Sequence, residues 1–339
     1  MNDPQTELSD LGEFGLIKRL ETKFSSDLPG QFTGIGDDCS IIPLSEGRLQ
    51  LITTDLLIEN IHFLTEKITA KELGFKSLAV NLSDIAAMGG VPESAYLSIG
   101  FPGELKVNWI DDFFDGILQL CKSSNVKLMG GDTTRSRQIV INFCVTGSVK
   151  SHHVKRRDHA KPGDIVCITD TLGDSGAGLK ILLENKELDE DSYYLIKKHN
   201  KPRPHLEEGK WLGQKPEVNA MIDVSDGIES DLRRIMDSSG FGSEIDLDQV
   251  PVSGKLLSVA QKYSWNPIDL ALTGGEDYCL MCTVEASKVD QLAQNFEQEF
   301  SCKLFQVGRI IEENALYFTH KGQRVDYKMQ GFDHFRSQG

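Results

Sequence analysis

Aspartates stand beside glycine, serine or threonine in six short segments of the chain. The six acidic segments are Gly36-Asp37-Asp38, Thr53-Thr54-Asp55, Asn81-Leu82-Ser83-Asp84, Gly130-Gly131-Asp132-Thr133, Asp223-Val224-Ser225-Asp226-Gly227 and Gly274-Gly275-Glu276-Asp277. Carboxylate and hydroxyl oxygens are ligands that Mg²⁺ and Ca²⁺ prefer, and glycine lets the backbone approach a bulky ligand. Two like charges about 4 Å apart repel by roughly 4 kcal/mol at an effective dielectric near 20. If the segments meet in space, they therefore predict a divalent-metal site.

Each acidic segment taken alone is more typical of a turn than of a ligand cluster, because Asp and Gly dominate turns. Asp226 could cap the helix that follows it, with Glu229 completing a capping box. The spacing from Asp223 to Asp231 does not match an EF-hand, since the glycine falls elsewhere and the terminal glutamate is absent. Several segments follow predicted strands, however, and ligands of α/β sheets gather at the carboxyl ends of strands. The six segments together favour one shared site.

The composition narrows the class of protein. The chain has 339 residues with 36 Lys and Arg against 51 Asp and Glu, a net charge of −15, which argues against a nucleic-acid surface. Its seven cysteines are odd in number and mostly stand in apolar surroundings, which is typical of a reducing compartment. We find no signal-peptide pattern and no apolar run near about 18 residues. We therefore expect a cytoplasmic protein without a membrane segment.

Helical and extended patterns alternate along the first half of the chain, which predicts an α/β protein. A strand over residues 49–54 is expected to deliver Asp55 at its carboxyl end. A helix from Ala70 to Met88, ended by glycines and a proline, carries Asp84 near its last turn. A short strand from Val126 to Met129 opens into the fourth acidic segment. Three acidic segments are thus expected next to regular elements.

The second half of the chain begins after a polar, basic and turn-rich stretch from Lys150 to Gly163. We place the domain boundary there, with domains at residues 1–150 and 151–339. A glycine-rich loop at residues 173–178 lacks the Gly-Lys-Ser/Thr ending of a P-loop, so tight packing explains it better than phosphate binding. A strand from Ala220 to Val224 leads into the fifth acidic segment and an amphipathic helix. Strand, glycine–acid turn and helix thus occur more than once.

The acidic segments, in this order, resemble those of the thiamine-monophosphate kinases, a family of the AIR-synthetase-like (PurM-like) superfamily of ATP-binding proteins. The resemblance spans nearly the whole chain. Besides the six segments, it is carried by Gly12-Glu13-Phe14, Gly34-Ile35, His62-Phe63, Ala160-Lys161-Pro162-Gly163-Asp164 and Gly331-Phe332-Asp333-His334-Phe335. The joint occurrence of these segments is specific, although no single one is.

The resemblance implies a fold and a reaction. The fold would be α/β (α+β) in two PurM-like domains. The N-terminal domain would have a mixed sheet with helices, bind ATP and metal, and form a homodimer, and the C-terminal domain would be α/β. The reaction would transfer a phosphoryl group from ATP to thiamine monophosphate with the help of several Mg²⁺ ions. Its product, thiamine diphosphate, would end a biosynthetic route.

The resemblance also implies roles for individual residues. The implied magnesium ligands are Asp38, Thr53, Thr54, Asp55, Asp84, Asp132, Asp223 and Asp226. The implied nucleotide contacts are Gly131, Asp132, Arg157 and Ser225. The implied contacts to thiamine phosphate are His62, Glu276 and Phe332, of which Phe332 would stack on a ring. Without the resemblance, His62 is typical of a packed core histidine and Arg157 of a solvated loop charge.

The chemistry of such a transfer agrees with the residue types. The attacking group is itself a phosphate, already ionised near neutrality, so the reaction requires no strong general base and no covalent nucleophile. The difficulty is to bring one anion onto another, which metal ions between the phosphates relieve. A site rich in aspartate and poor in lysine fits this task.

Other functions stay open from sequence alone. AIR synthetase, part of formylglycinamidine-ribotide synthetase and selenophosphate synthetase belong to the same superfamily. The last is expected to carry a reactive Cys near its N-terminus, and residues 1–30 contain none. A hydrogenase-maturation relative is expected to end in a functional cysteine, whereas this chain ends in Ser337-Gln338-Gly339. A non-catalytic metal- or nucleotide-binding protein is an alternative of a different class.

Overall fold

The computed structural model describes residues 7–327, so Phe332 lies outside the described residues. Helices and strands alternate through the described part. The helices are α1 (Leu8–Phe24), α2 (Ala70–Ala87), α3 (Val107–Ser124), α4 (Asp174–Leu183), α5 (Glu190–Asn200), α6 (Leu206–Gly213), α7 (Ile228–Ser239), α8 (Gly254–Tyr263), α9 (Pro267–Thr273) and α10 (Val289–Phe300). The strands are β1 (Ser40–Pro43), β2 (Arg48–Ile58), β3 (Val91–Phe101), β4 (Lys127–Arg135), β5 (Val140–Lys150), β6 (Ile165–Ile168), β7 (Val218–Asp223), β8 (Gly242–Asp246), β9 (Leu280–Val284), β10 (Phe305–Ile311), β11 (Leu316–His320) and β12 (Gln323–Val325).

The first sheet is mixed and contains five strands in the order β1-β2-β5-β3-β4. Strands β3 and β4 are parallel, and the other neighbours are antiparallel. One face packs on α2, whose Leu78, Leu82 and Ile85 are fully buried. The opposite face carries exposed apolar side chains, and every residue of the edge strand β4 is exposed. The sheet therefore has one core face and one open face.

Helix α2 is held against α3 by direct contact between the two backbones. A Cβ added at Gly116 would lie 1.9 Å from the carbonyl oxygen of Lys71, and one added at Gly74 would lie 1.9 Å from that of Phe113. Only glycine permits so close an approach. The position of α2, which carries the third acidic segment, is therefore fixed relative to α3.

The second sheet begins at Ile165, after the first has ended at Lys150, and contains seven strands in the order β12-β11-β8-β10-β6-β9-β7. Strands β8 and β11 are parallel and the other pairs are antiparallel. Its core includes Val166, Ile222 and Met281, all fully buried. Strand β7 ends at the fifth acidic segment, and α7 follows directly, as the sequence predicts.

Three predicted bounds are wrong. Strand β2 continues to Ile58, so Asp55 lies within the strand, because β2 pairs with β5 along all eleven residues. Strand β4 includes the fourth acidic segment, because its pairing with β3 continues through Gly131, where a Cβ would meet the Leu97 carbonyl oxygen at 1.7 Å. The predicted loop at residues 173–178 is mostly the first part of α4.

Helix α4 begins early because an aspartate from the sixth acidic segment caps it. The carboxylate of Asp277 accepts hydrogen bonds from the backbone N–H groups of Gly173 and Ser175, at 2.7 and 3.2 Å. A Cβ added at Gly176 would lie 2.6 Å from the Cα of Gly274. The glycines of this helix therefore serve packing, which agrees with the absence of a P-loop ending.

The helices and the cysteines bear on the predictions of no membrane segment and of a reducing compartment. None of the helices between residues 7 and 327 combines the length and apolar character needed to cross a bilayer. All seven cysteines are free, and five of them are buried. Free, buried thiols agree with a reducing compartment, while the cytoplasmic location stays a prediction.

Candidate metal and phosphate site

Three carboxylates from distant parts of the chain converge. Asp38 precedes β1, Asp84 lies on α2 and Asp223 ends β7. One oxygen of each lies within 4.8 Å of the others. The structure therefore brings the first, third and fifth acidic segments into one cluster between the two sheets, as the sequence predicts for a metal site.

Hydroxyl groups orient two of the three carboxylates. Thr53 on β2 donates a hydrogen bond to Oδ2 of Asp84. Ser83 on α2 donates to Oδ2 of Asp223 at 2.6 Å, although the two residues are 140 positions apart. Each hydrogen bond uses one oxygen, so the other oxygens stay available for a ligand. The fixed geometry is what a pre-formed ion site requires.

The second acidic segment is fixed by asparagines on its neighbours. The backbone N–H of Asp55 donates to Oδ1 of Asn81 on α2 at 3.0 Å. Nδ2 of Asn142 on β5 donates to the hydroxyl of Thr54 at 2.9 Å and to the carbonyl oxygen of Asp55 at 3.1 Å. Alternation along β2 places Thr53 and Asp55 on the core face and Thr54 on the open face.

Burial and mutual repulsion raise the pKa values of the carboxyl groups in the cluster. Burial, together with repulsion from Asp38, raises the pKa of Asp223 to about 7. Burial, together with repulsion from Asp226 and Asp38, raises the pKa of Asp55 to about 6. Burial and the neighbouring Asp55 and Asp223 raise the pKa of Asp84 well above its ordinary value. Each shift reports that the charged form is disfavoured.

Arg157 closes one side of the cluster. Its guanidinium forms an ion pair with Asp38, and its Nε lies 3.6 Å from Oδ1 of Asp37. Only 12% of its side chain is exposed, so the prediction of a solvated loop charge is wrong. Three buried side-chain atoms of the described residues have no hydrogen-bond partner, namely Oδ2 of Asp38, Nε of Arg157 and Oδ1 of Asp231. An open, buried carboxylate oxygen in a set of hard oxygen donors fits Mg²⁺.

The fifth acidic segment is fixed by a residue that sequence reasoning missed. The fully buried Asp231 accepts hydrogen bonds from the backbone N–H groups of Ser225 and Asp226, at 3.0 and 3.1 Å. Arg234 forms an ion pair with Asp226. The alternative in which Asp226 caps α7 is wrong, because the N-cap is Gly227 and no side chain caps it. Asp231 and Arg234 stand three positions apart on α7, a spacing at which side chains of one helix meet, and that spacing is a usable signal.

The sixth acidic segment lies beside the fifth. The backbone N–H of Glu276 donates to the carbonyl oxygen of Ser225 at 2.7 Å. Burial alone would raise the pKa of Glu276, but the nearby Lys76 and His199, with His62, hold it below its ordinary value. His62 therefore lies near enough to Glu276 to act on its charge. Nδ1 of His62 accepts a hydrogen bond from the N–H of Ile58 at 3.0 Å.

The fourth acidic segment lies on the open face of the first sheet. Asp132 pairs in register with Ser98, and Ser98 pairs with Asn142, so all three share a face with Thr54. Asp132 is exposed, and its Oδ1 accepts a hydrogen bond from the N–H of Thr133 at 3.0 Å. The roles of Asp132, Gly131 and Thr54 as ligands or contacts stay predictions.

The raised pKa values predict how stability depends on pH. In the unfolded chain an Asp titrates near about 3.9, below the folded values of about 6 for Asp55 and about 7 for Asp223. The contribution of these two carboxyl groups to the free energy of unfolding is therefore fully present below the unfolded pKa, and it is lost as pH rises through 6 to 7. Without metal, thermal unfolding should show a lower melting temperature at pH 8 than at pH 6. Mg²⁺ should reduce this difference, and an equal difference with and without Mg²⁺ would contradict the prediction.

Comparison with known proteins shows which family the chain resembles over nearly its whole length. Residues 36–149 match the family described as AIR synthase related protein, N-terminal domain, and residues 161–321 match its C-terminal domain. The thiamine-monophosphate kinase of Salmonella typhimurium is 36% identical over 96% of this chain and 98% of its own length. The thiamine-monophosphate kinase of Haemophilus influenzae is also 36% identical, over 96% of this chain and 98% of its own length.

A solved structure extends the comparison to three dimensions. The structure described as AaThiL complexed with AMPPCP and TMP superimposes with a TM-score of 0.84, at 31% identity, over 98% of this chain and all of that one. The expected two-domain PurM-like fold is thereby confirmed. The chain belongs to the thiamine-monophosphate kinase family, a family of enzymes within the AIR synthase related proteins.

Proposed function

We propose that the chain phosphorylates thiamine monophosphate to thiamine diphosphate with ATP, by direct in-line transfer assisted by several Mg²⁺ ions. The observation that carries the proposal is the convergence of Asp38, Asp84 and Asp223 beside Arg157. Relatives named thiamine-monophosphate kinase, alike over nearly the whole chain, support the choice of substrate. Making thiamine diphosphate would complete the biosynthesis of that compound.

Oxygen ligands in this cluster, together with Thr54 and Asp132 on the open face of the first sheet, would hold the ions. We assign that role to Asp38, Thr53, Thr54, Asp55, Asp84, Asp132, Asp223 and Asp226. When bound, Mg²⁺ neutralises phosphate charge and so allows one anion to approach another. The cluster lies between the two sheets, where Arg157 adds a positive charge at its edge. A phosphate acceptor is already ionised, so none of these side chains has to remove a proton.

Two further groups of residues would hold the two substrates. We assign the nucleotide to Gly131, Asp132, Arg157 and Ser225. We assign thiamine monophosphate to His62, Glu276 and Phe332. Ser225 and Glu276 are joined by a backbone hydrogen bond of 2.7 Å. This bond supports a transfer site at the junction of the fifth and sixth acidic segments.

A direct assay tests the proposed activity. Purified protein is incubated with ATP, Mg²⁺ and thiamine monophosphate, and the products are separated by chromatography. We expect thiamine diphosphate and ADP in equal amounts, and neither when EDTA replaces Mg²⁺. Nucleotide binding without product would favour the non-catalytic alternative. Product from an aminoimidazole precursor would favour a synthetase.

We also propose that the N-terminal domain, residues 1–150, mediates a homodimer through the open face of the first sheet. Two large apolar side chains of this face, Leu56 on β2 and Tyr96 on β3, are 47% and 43% exposed. Strand β4 also has an unpaired edge. An exposed apolar face with an open edge is typical of a surface that another chain covers. The fourth acidic segment lies on this strand, which supports ATP binding near the dimer junction.

Tyr96→Glu should convert the dimer to a monomer. A charge buried in an apolar interface costs several kcal/mol unless it is paired, which is enough to dissociate a dimer at micromolar concentration. Multi-angle light scattering measures the mass. Leu257→Glu is the matched control, because Leu257 is 50% exposed on α8, outside this sheet. A variant at Tyr96 that keeps the mass of the wild type would contradict the proposed interface.

A further inference from the structure

Between residues 7 and 327, one lysine is completely buried, and it lies at the boundary between the two sheets. Lys76 lies on α2 with none of its side chain exposed. Its Nζ lies 3.1 Å from both carboxylate oxygens of Glu276, which belongs to the sixth acidic segment, 200 positions away. An unpaired ammonium at such a site would be strongly destabilising, so the ion pair is obligatory for the folded state. Burial of the pair does not by itself say what it is for.

The backbone at Glu276 is constrained as tightly as its side chain. Glu276 has a φ of +55° and Tyr278 a φ of +51°, a region that residues with a Cβ seldom adopt. Backbone hydrogen bonds to Ser225 (2.7 Å) and Val224 (2.8 Å) hold the two residues in this conformation. Strain of this kind persists where the surroundings determine it, and it concentrates at ligand sites.

A histidine holds the carboxylate from the other side. Nδ1 of His199 on α5 lies 3.1 Å from Oε2 of Glu276 and 3.1 Å from the hydroxyl of Ser175. Burial, reinforced by the charge of Lys76, lowers the pKa of His199 to about 4, so the ring is neutral near pH 7. The carboxylate thus has one charged partner and one neutral partner.

One part of the carboxylate still faces outward. The side chain of Glu276 is 28% exposed, whereas those of Lys76 and His199 are 0% and 7% exposed. A carboxylate has about four lone-pair directions, and these two partners do not occupy all of them. Glu276 therefore keeps an exposed part of its carboxylate, which a hydrogen-bond donor or a cation of a ligand can reach.

We propose that Lys76 is a positioning residue, which fixes the carboxylate of Glu276 so that it accepts a hydrogen bond from the aromatic amine of the phosphate-accepting substrate. This inference rests on the proposed function, in which Glu276 contacts that substrate. Lys76 lies eight residues before Asp84 on α2, so a single helix would position both the substrate carboxylate and a metal ligand. It would thereby align the accepting substrate with the ion cluster.

Substitution of Lys76 by methionine tests the proposal, because methionine keeps much of the length and removes the charge. In Lys76→Met, KM for thiamine monophosphate should rise about tenfold or more, since a charge-assisted hydrogen bond loses its geometry. KM for ATP should stay within about twofold of the wild type. Lys76→Arg, which restores the charge, should recover part of the loss. Equal changes in both KM values, or none in KM for thiamine monophosphate, would overturn the proposal.

A double variant keeps the test informative if Lys76→Met does not fold. Lys76→Met combined with Glu276→Gln removes both charges, so no buried ion lacks a partner. Its KM for thiamine monophosphate should equal that of Glu276→Gln alone, because both residues act through one carboxylate. A further rise of fivefold or more, on the order of 1 kcal/mol, would overturn the proposal.

A second buried lysine provides the matched control. Lys155 is 6% exposed and donates to the carbonyl oxygens of Lys215 and Val218, at 2.8 and 2.7 Å. Lys155→Met should lower the melting temperature without a selective rise in KM for thiamine monophosphate. A selective rise of KM for thiamine monophosphate in Lys155→Met would show that loss of either buried lysine produces the effect. That result would overturn the proposal. Wild-type protein that forms no thiamine diphosphate would instead reject the proposed function itself.

Discussion

Asp84→Asn is expected to abolish turnover while the melting temperature of the metal-free protein stays unchanged or rises. Asp84 lies among Asp38, Asp55 and Asp223, and burial with this repulsion raises its pKa well above the ordinary value. Removal of one charge relieves the repulsion, so the free energy of unfolding of the metal-free protein should not fall. The same change removes a proposed metal ligand. Loss of several kcal/mol of transition-state stabilisation corresponds to a fall in kcat on the order of 10³.

Two measurements separate the metal-ligand role of Asp84 from a structural role. Differential scanning calorimetry without metal should give a melting temperature at or above that of the wild type, and Mg²⁺ should raise it less than in the wild type. Asp237→Asn is the control, because Asp237 is exposed on α7, and it should change neither stability nor kcat. A large loss of stability in Asp84→Asn would show that its carboxylate holds the fold together.

Arg157→Met is expected to destabilise the metal-free protein by about 3–5 kcal/mol, the opposite sign to Asp84→Asn. Arg157 is the cation that pairs with Asp38 and approaches Asp37, and burial, together with repulsion from Asp38, raises the pKa of Asp37 to about 7. Without the guanidinium, two buried carboxylates lose their partner. KM for ATP should also rise, because we assign the nucleotide to the same residue.

Urea unfolding with and without Mg²⁺ measures this effect. Mg²⁺ should restore part of the lost stability in Arg157→Met, since ions can take over neutralisation of the carboxylates. Arg156→Met is the matched control, because Arg156 makes a partly exposed ion pair with Asp158 at 2.9 Å. Loss of this ion pair should lower the free energy of unfolding by at most about 1 kcal/mol. Equal losses at Arg156 and Arg157 would contradict the account.

Much of the cluster could be predicted because its chemistry is local in sequence. Each acidic segment combines a ligand with glycine or a hydroxyl residue, and α2 and β7 have clear patterns that place Asp84 near a helix end and Asp223 at a strand end. The rule that ligands gather at the carboxyl ends of strands accounts for Asp223, whereas Asp38 precedes β1 and Asp84 lies on α2. The family resemblance then supplied the roles that local patterns could not.

The rest depends on partners that are distant in sequence. The length of β2 is determined by its pairing with β5, whose residues follow it by about ninety positions. The local pattern of α2 does not distinguish Lys76 from a surface lysine, and only the fold places Glu276 3.1 Å from it. The local sequence predicts a solvated loop charge at Arg157, whereas the fold places the first acidic segment against it. Such contacts decide which charged residue belongs to the site and which lies in solvent.

Anomalous diffraction from crystals grown with Mn²⁺, an ATP analogue and thiamine monophosphate tests the central claim most directly. Mn²⁺ takes the same hard oxygen ligands as Mg²⁺, and its anomalous signal locates it without ambiguity. We expect peaks bound by Asp38, Asp84 and Asp223, at roughly 2.0–2.3 Å from their oxygens, beside the phosphates of the nucleotide. Phosphates bound elsewhere, with no peak within about 4 Å of any of these three carboxylates, would contradict the account.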